Sequence, residues 1–196
     1  MITGLPKVVV LTGPSGAGKS SVAALLKKKG YRLIEGDRIA RALYAPNRPA
    51  AVRLRKAFGN SYFDGRGRLD RKRFGALFFG DVAARRTANA ILYPLFISEL
   101  RRRLKMAKGK VCLDMAVYFD AGAPDFGARV ILVTAPFRVR RARLIARGVA
   151  PARASAQAKS LVFGPKERRL SDGIIHNRGS RAGLEGLTRR ALLDKF

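Results

Sequence analysis

Cysteine and histidine each occur once in the 196 residues, and acidic side chains are scarce, 13 against 41 lysines and arginines. Each scarcity excludes something. A single cysteine, Cys112, allows no intramolecular disulfide. It lies in the apolar run Val111–Met115, so it is expected to be a small buried residue rather than a nucleophile. A reducing, cytoplasmic compartment is the matching expectation. A single histidine, His176, with no cysteine or carboxylate cluster beside it, makes no metal site and is expected to be structural. No apolar run approaches the ~18 residues of a membrane span, so no membrane partner is expected. No signal pattern precedes residue 13, and no repeat, low-complexity block or basic tail is visible.

The shortage of acids leaves a formal net charge of +28. Acidic partners follow from that, and three explanations compete: a nucleotide site, which needs only a few of these charges, a nucleic-acid-binding face, and an arginine-biased solvated surface. A continuous basic face would serve nucleic acid. Basic residues scattered along the chain, as here, fit an arginine-biased surface together with a phosphate-rich small-molecule substrate, and this is the preferred reading, with no specific nucleic-acid partner expected. Self-repulsion at this charge is expected to weaken the fold at low salt.

What is present is organised around one stretch. Gly13-Pro14-Ser15-Gly16-Ala17-Gly18-Lys19-Ser20 spells Gly-x4-Gly-Lys-Ser, a phosphate-binding loop, and Ser21 follows. The run Val8–Leu11 before it reads as a buried strand, and Ser21–Lys29 after it as a helix with Val22, Leu25 and Leu26 on one face. The motif therefore stands where it works, between a strand and a helix N-terminus. Glycines let backbone N–H groups approach phosphate oxygens, and the helix end adds unpaired donors. Lys19 can reach the terminal phosphates, and the Ser20 hydroxyl can join the shell of a Mg2+ ion.

Four further strands are expected, at Tyr31–Glu35, Val111–Met115, Arg129–Thr134 and Gly173–His176, all separated by helical segments. The pattern is an α/β fold with a five-stranded parallel sheet flanked by helices. Asp37 follows the second strand, where ligands bind in open parallel sheets if that strand lies close to the first. Between strands two and three the chain has helical spacing, with helices expected over 69–79 and 82–92, and a new one opened by Pro94 over 95–106. An insertion of that length suits a lobe for a second substrate. Asp114, at the end of strand three, is either a metal-positioning carboxylate or a turn cap. The helix Phe137–Gly148 carries Arg140, Arg143 and Arg147 at spacings that share a face, suited to charge on a transferring phosphoryl group. A short helix is expected within 151–164, and a last one over 181–193.

In this order the residues resemble the dephospho-coenzyme A kinases, a family of kinases with a phosphate-binding loop. The resemblance rests on the loop Leu11–Ser21, Asp37-Arg38-Ile39-Ala40-Arg41, Phe58-Gly59, Asp64-Gly65 and Leu69-Asp70-Arg71. It continues through Asn89, Pro94, Leu113-Asp114-Met115, Arg143 with Arg147, and Asp172–Gly179 around Asn177. It implies a nucleotide core of 1–36, 109–137 and 166–196, an acceptor lobe of 37–108 and an arginine-rich lid of 138–165. It also implies ATP and Mg2+ and transfer of the γ-phosphoryl group to the ribose 3′-hydroxyl of dephospho-coenzyme A; a monomer is the separate expectation. Asp37, Lys19 and Arg143 would be catalytic, with Asp37 at the hydroxyl and Arg143 over the transferred phosphate. Gly13, Ser15, Gly16, Ala17, Gly18, Lys19, Ser20, Ser21, Arg143 and Asn177 would bind nucleotide, with Asn177 near adenine. Ser20 and Asp114 would serve the metal. The chain departs from the family's usual residues at Glu35-Gly36, Tyr93, Ala116 and Arg140, mostly on the acceptor side. Two other readings stand beside this one. One is a kinase of the same loop class acting on another small hydroxyl or nucleoside-phosphate acceptor. The other is a nucleotide-dependent nucleic-acid-binding protein.

Overall fold

A computed structural model describes residues 7–160, 163–179 and 181–193. Residues 1–6, 180 and 194–196 of the expected core lie outside them, as do 161–162 of the expected lid. The described chain forms two compact units, one reaching to Glu35 and resuming at Ala107, the other Gly36–Met106.

The first unit is built on β1 (Val8–Thr12), β2 (Arg32–Glu35), β3 (Val111–Asp114), β4 (Arg129–Thr134) and β5 (Gly173–His176). All pair in parallel, in the order β2-β3-β1-β4-β5. The near-continuous apolar runs of β1, β3 and β4 follow from this, because a parallel strand covered on both faces needs burial at every position. β2 is not the neighbour of β1; β3 lies between them, with Leu11 opposite Asp114 and Glu35 also opposite Asp114. Helix α1 (Lys19–Lys28) buries Val22, Ala23, Leu25 and Leu26 against the sheet, as its sequence spacing requires. Cys112, Tyr31, Ile131 and Leu192 belong to the same core.

At the start of β4 a small network joins three elements. The Asp172 carboxylate accepts the Val130 N–H at 2.7 Å, and the Arg129 guanidinium donates to the Asp172 and Ala191 carbonyls at 3.1 and 3.0 Å. Asp172, the first residue of a sequence block singled out above, thus helps to hold β4 to the entry of β5.

The second unit consists of α2 (Gly36–Leu43), α3 (Pro49–Phe58), α4 (Arg71–Gly80) and α5 (Val82–Met106), with a 3-10 turn at Asn60–Tyr62. Its core packs Ala50, Leu54, Phe74, Ala88 and Leu92, with Phe58 and Tyr62 edge-on to Phe74 at 5.3 and 5.9 Å between centroids. Three of its few carboxylates set turns. Asp64 accepts N–H bonds from Arg66 and Arg68, Asp70 caps α4 and Asp81 caps the start of α5.

One expected break does not occur: α5 runs through Pro94 as one 25-residue helix. Proline removes one helical N–H and crowds the carbonyl four residues back. Here both Pro94 and Ala90 are exposed, so water can take that carbonyl. Meanwhile Ala88, Leu92, Phe96 and Leu100 bury one stripe on both sides of the proline and hold the helix axis through it. The first unit is completed by α6 (Phe137–Ala146), α7 (Pro151–Lys159), α8 (Pro165–Arg169) and α9 (Arg181–Leu193). Among the described residues no helix is long and apolar enough to cross a membrane.

Candidate active site

The loop between β1 and α1 is closed by its own backbone, Ala17 N–H donating to Pro14 O at 3.2 Å. Gly18 is the N-cap of α1 and has no side chain to satisfy the first-turn N–H groups, and no acidic residue stands in that turn. The helix end therefore keeps its donors and its partial positive charge for an anion. The Lys19 ammonium folds over the loop and donates to the Gly13 carbonyl at 2.7 Å. Ser15 is half-buried, while Ser20 and Ser21 are exposed in the first turn of α1.

The outer side of the loop is braced from two later elements. Asn177, just after β5, donates from Nδ2 to the Ala17 carbonyl at 2.8 Å. Arg143 of α6 donates from Nη1 to the carbonyls of Ala17 and Gly16, at 3.3 and 3.4 Å. Its Nη2 donates to Asn177 Oδ1 at 3.2 Å. A trans peptide points its C=O and the next N–H in opposite directions. Pulling the Ala17 carbonyl outward therefore turns the Gly18 N–H inward, toward where a phosphate would lie.

Two glycines make this brace possible. A Cβ on Gly16 would meet the Arg140 carbonyl oxygen at 2.6 Å, and one on Gly18 would overlap Asn177 Nδ2. Both have positive φ, 78° and 102°.

The three arginines expected to share a face are divided. Arg143 and Arg147 line one cleft and Arg140 another. Helical spacing fixes where side chains leave the helix, not where long ones end. The Arg140 guanidinium is turned back by bonds to Ala135 O (3.0 Å) and Ala158 O (2.5 Å). In the structure Arg143 is engaged with loop carbonyls and Asn177, which makes it a brace of the loop.

The cleft of Arg143 and Arg147 has a volume of about 560 Å³ and takes in Gly18, Ser20, Asn177 and Leu184. Ala24 and Ala146 also face it, small residues that leave room for a flat group between α1 and α6. With apolar walls, two arginines and one amide, it suits a nucleoside whose phosphates lie on the loop. Leu184 carries no signal of this in the sequence, where it reads as part of an apolar helix face.

Asp114 ends β3 beside Leu11, and the next residue, Met115, donates its N–H to Leu11 O at 2.9 Å. Asp37 belongs to the other unit, exposed in the first turn of α2 two residues beyond β2. His176 is exposed, with Nδ1 3.0 Å from Thr134 Oγ1. Partial desolvation, then Arg168 and Arg178, hold its pKa below the usual histidine value. Among the described residues no three or more of His, Cys, Asp and Glu gather at one point.

The dephospho-CoA kinase of Methylococcus capsulatus is 33% identical over 180 residues, covering 91% of each chain. That of Enterococcus faecalis is 32% identical and covers 98% of each. A Thermus thermophilus protein of known crystal structure superposes with a TM-score of 0.80 at 27% identity, over 96% of this chain and 97% of its own. A dephospho-CoA kinase structure from Campylobacter jejuni, 19% identical over 94% of each chain, shares the fold with a TM-score of 0.59. The family model for dephospho-CoA kinase matches residues 7–182, and the chain belongs to that family.

Proposed function

We propose that this chain transfers the γ-phosphoryl group of ATP to the ribose 3′-hydroxyl of dephospho-coenzyme A, giving coenzyme A and ADP. The observation that carries the reading is the braced loop, with Asn177 and Arg143 both on the Ala17 carbonyl beside a nucleoside-sized cleft, in a chain of this family. In the transfer the 3′-oxygen bonds to the γ-phosphorus, the bond from that phosphorus to the β–γ bridging oxygen breaks, and ADP leaves with that electron pair. The hydroxyl proton goes to the Asp37 carboxylate, the role of base or orienting group in phosphoryl transfer. Gly13, Ser15, Gly16, Ala17, Gly18 and Ser21 offer the loop's donors, and Lys19 holds the terminal phosphates once it exchanges the Gly13 carbonyl for them. Asn177 keeps the loop in shape and flanks the base, and Arg143, which rests on the loop carbonyls, serves as the catalytic arginine over the transferred phosphate, with Arg147 beside it in the same cleft. The Gly36–Met106 unit takes part in binding the acceptor.

Mg2+ fits the donor set. This ion keeps several waters and takes only one or two protein oxygens beside the phosphates. The Ser20 hydroxyl and the Asp114 carboxylate would hold the ion, which when bound would neutralise charge on the phosphates. The protein acts as a monomer in the cytoplasm.

The test is ADP release from Mg2+-ATP with and without dephospho-coenzyme A, the native protein beside Lys19→Ala and Asp37→Asn. The expected result is stimulation by dephospho-coenzyme A with coenzyme A as product, lost in both variants. ATP binding without any stimulation would show that the acceptor is another hydroxyl.

A further inference from the structure

A second cleft, of about 390 Å³, lies wholly within the first unit. It is lined by Pro14 of the loop, Thr134 at the end of β4, Arg140, Lys159, Phe163 and Arg168, among others, and none of its lining residues among those described is acidic. The nearest carboxylate in sequence, Glu167, is spent on the Gly164 N–H at 2.7 Å.

Arg140 is the informative member. Its guanidinium is half-buried and makes no ion pair among the described residues; its only acceptors are the carbonyls of Ala135 and Ala158. Those two bonds use two of the five N–H donors of a guanidinium. Burial, with no carboxylate to offset it, holds its pKa below the usual arginine value. A partly desolvated cation with spare donors, joined in one cleft by an exposed lysine and an exposed arginine, is electrostatically incomplete until an anion arrives. The Phe163 ring, edge-on to Phe119 at 6.0 Å between centroids, gives the cleft an apolar wall, which favours an organic phosphate over a bare ion.

The position selects which phosphate. The nucleoside cleft takes in the far end of the loop, Gly18, Ser20 and Ser21, whereas the second cleft takes in its near end, Pro14. A triphosphate laid along the loop from the nucleoside cleft points its γ end toward Pro14. What lies beyond that end is the acceptor. Dephospho-coenzyme A carries a diphosphate on the 5′ side of the same ribose whose 3′-hydroxyl is phosphorylated, so this diphosphate travels with the hydroxyl.

We propose that Arg140, Lys159 and Arg168 form an organic-diphosphate site that holds the diphosphate of the acceptor, separate from the ATP phosphates on the loop. The proposal rests on the reading of the function above. It makes these three residues specificity determinants for a charged acceptor.

The experiment is steady-state kinetics of the full chain, varying dephospho-coenzyme A at saturating Mg2+-ATP and the reverse. The variants are Lys159→Gln, Arg168→Gln, their double, and Arg140→Gln. Arg140 also ties α6 to α7, so its loss can loosen the fold. Lys159 and Arg168 are exposed, and the double variant carries the test without that difficulty. The expected result is a KM for dephospho-coenzyme A raised about tenfold in the double variant, the scale of a lost charge-assisted hydrogen bond, with the KM for ATP within about twofold. A raised KM for ATP with the acceptor unchanged would assign the cleft to the γ end of the donor and overturn the proposal. No change in either constant, or an equal rise in both, would overturn it too, leaving a solvated basic cleft or a diffuse field. Native protein that makes no coenzyme A would instead overturn the functional reading, an outcome read before any variant is compared.

Discussion

Asn177 Oδ1 accepts a hydrogen bond from Arg143 Nη2 at 3.2 Å, while Nδ2 of the same amide donates to the Ala17 carbonyl at 2.8 Å. The two bonds fix which way the amide faces, since reversing it would set the amide nitrogen against the guanidinium and the amide oxygen against a carbonyl. Asn177→Ala removes both bonds at once. The expected result is a KM for ATP raised about tenfold, from roughly 1–2 kcal/mol of lost hydrogen bonding, with a smaller change in kcat. Asn177→Asp keeps an acceptor for Arg143 but loses the donor to Ala17, and is expected to recover little. Unchanged ATP affinity in Asn177→Ala would show that the loop holds its shape without the brace.

Gly18→Ala tests the same contact from the other side. The new methyl would overlap Asn177 Nδ2, and the backbone there has φ 102°, which L side chains rarely adopt. The cost is expected to be about 2–4 kcal/mol, from strain and a displaced amide together. For a domain of this size that lowers the thermal midpoint by roughly 4–16 °C. Differential scanning fluorimetry measures it. Loss of nucleotide binding without loss of stability would mean that the amide simply moves aside.

The strands were legible because buried parallel strands announce themselves as apolar runs. Arg129–Thr134 and Gly173–His176 have the bounds read from the sequence. Strand order was not legible, since nothing local in β2 says that β3 will separate it from β1. Pro94 misled because its local effect is to break helices, whereas the buried stripe Ala88–Leu92–Phe96–Leu100 is a tertiary effect. The loop residues were visible as a motif. The division of Arg140 from Arg143 was not, because it depends on the Ala158 carbonyl of a helix beyond α6. The short α8 was missed because five residues, Pro165–Arg169, carry too few apolar positions to show a period.

Cys112 is 1% exposed on β3, and burial, with the Asp114 charge adding to it, pushes its thiol pKa up to about 12. The thiolate is the reactive form, so at neutral pH the folded protein offers almost none. Ellman's reagent is expected to leave the native protein unlabelled over hours and to titrate one thiol in denaturant. Rapid labelling of folded protein would show that the β3 core opens on that timescale.

Glu99 holds a pair of arginines. Hydrogen bonds from Arg102 and then Arg103, both at 2.8 Å, pull its pKa down to about 2. The folded value lies below the unfolded one, so the stabilisation is complete above the ordinary carboxylate range and is lost as pH falls toward 2. Surface pairs of this kind contribute about 0–1 kcal/mol. Glu99→Gln is therefore expected to melt slightly below the native protein at pH 6, and the gap is expected to close as the pH approaches 2. A gap that persists in acid would mean that the lost contact is packing rather than charge.

Pro94 gives the opposite kind of prediction, a stabilising one. It stands exposed inside α5, lacking the N–H that would bond the Ala90 carbonyl. Proline costs about 3 kcal/mol in a helix interior relative to alanine. Replacing it restores that bond and relieves the ring against the preceding turn, but it also frees the unfolded chain, which offsets roughly 0.4–1 kcal/mol. Pro94→Ala is thus expected to gain about 2–2.6 kcal/mol, seen as a rise of roughly 4–10 °C in the thermal midpoint. Activity decides why the proline is there. A stabler variant with unchanged kcat/KM would make Pro94 neutral to the reaction, whereas a stabler variant that binds dephospho-coenzyme A more weakly would mean that the helix shape set by Pro94 serves the acceptor.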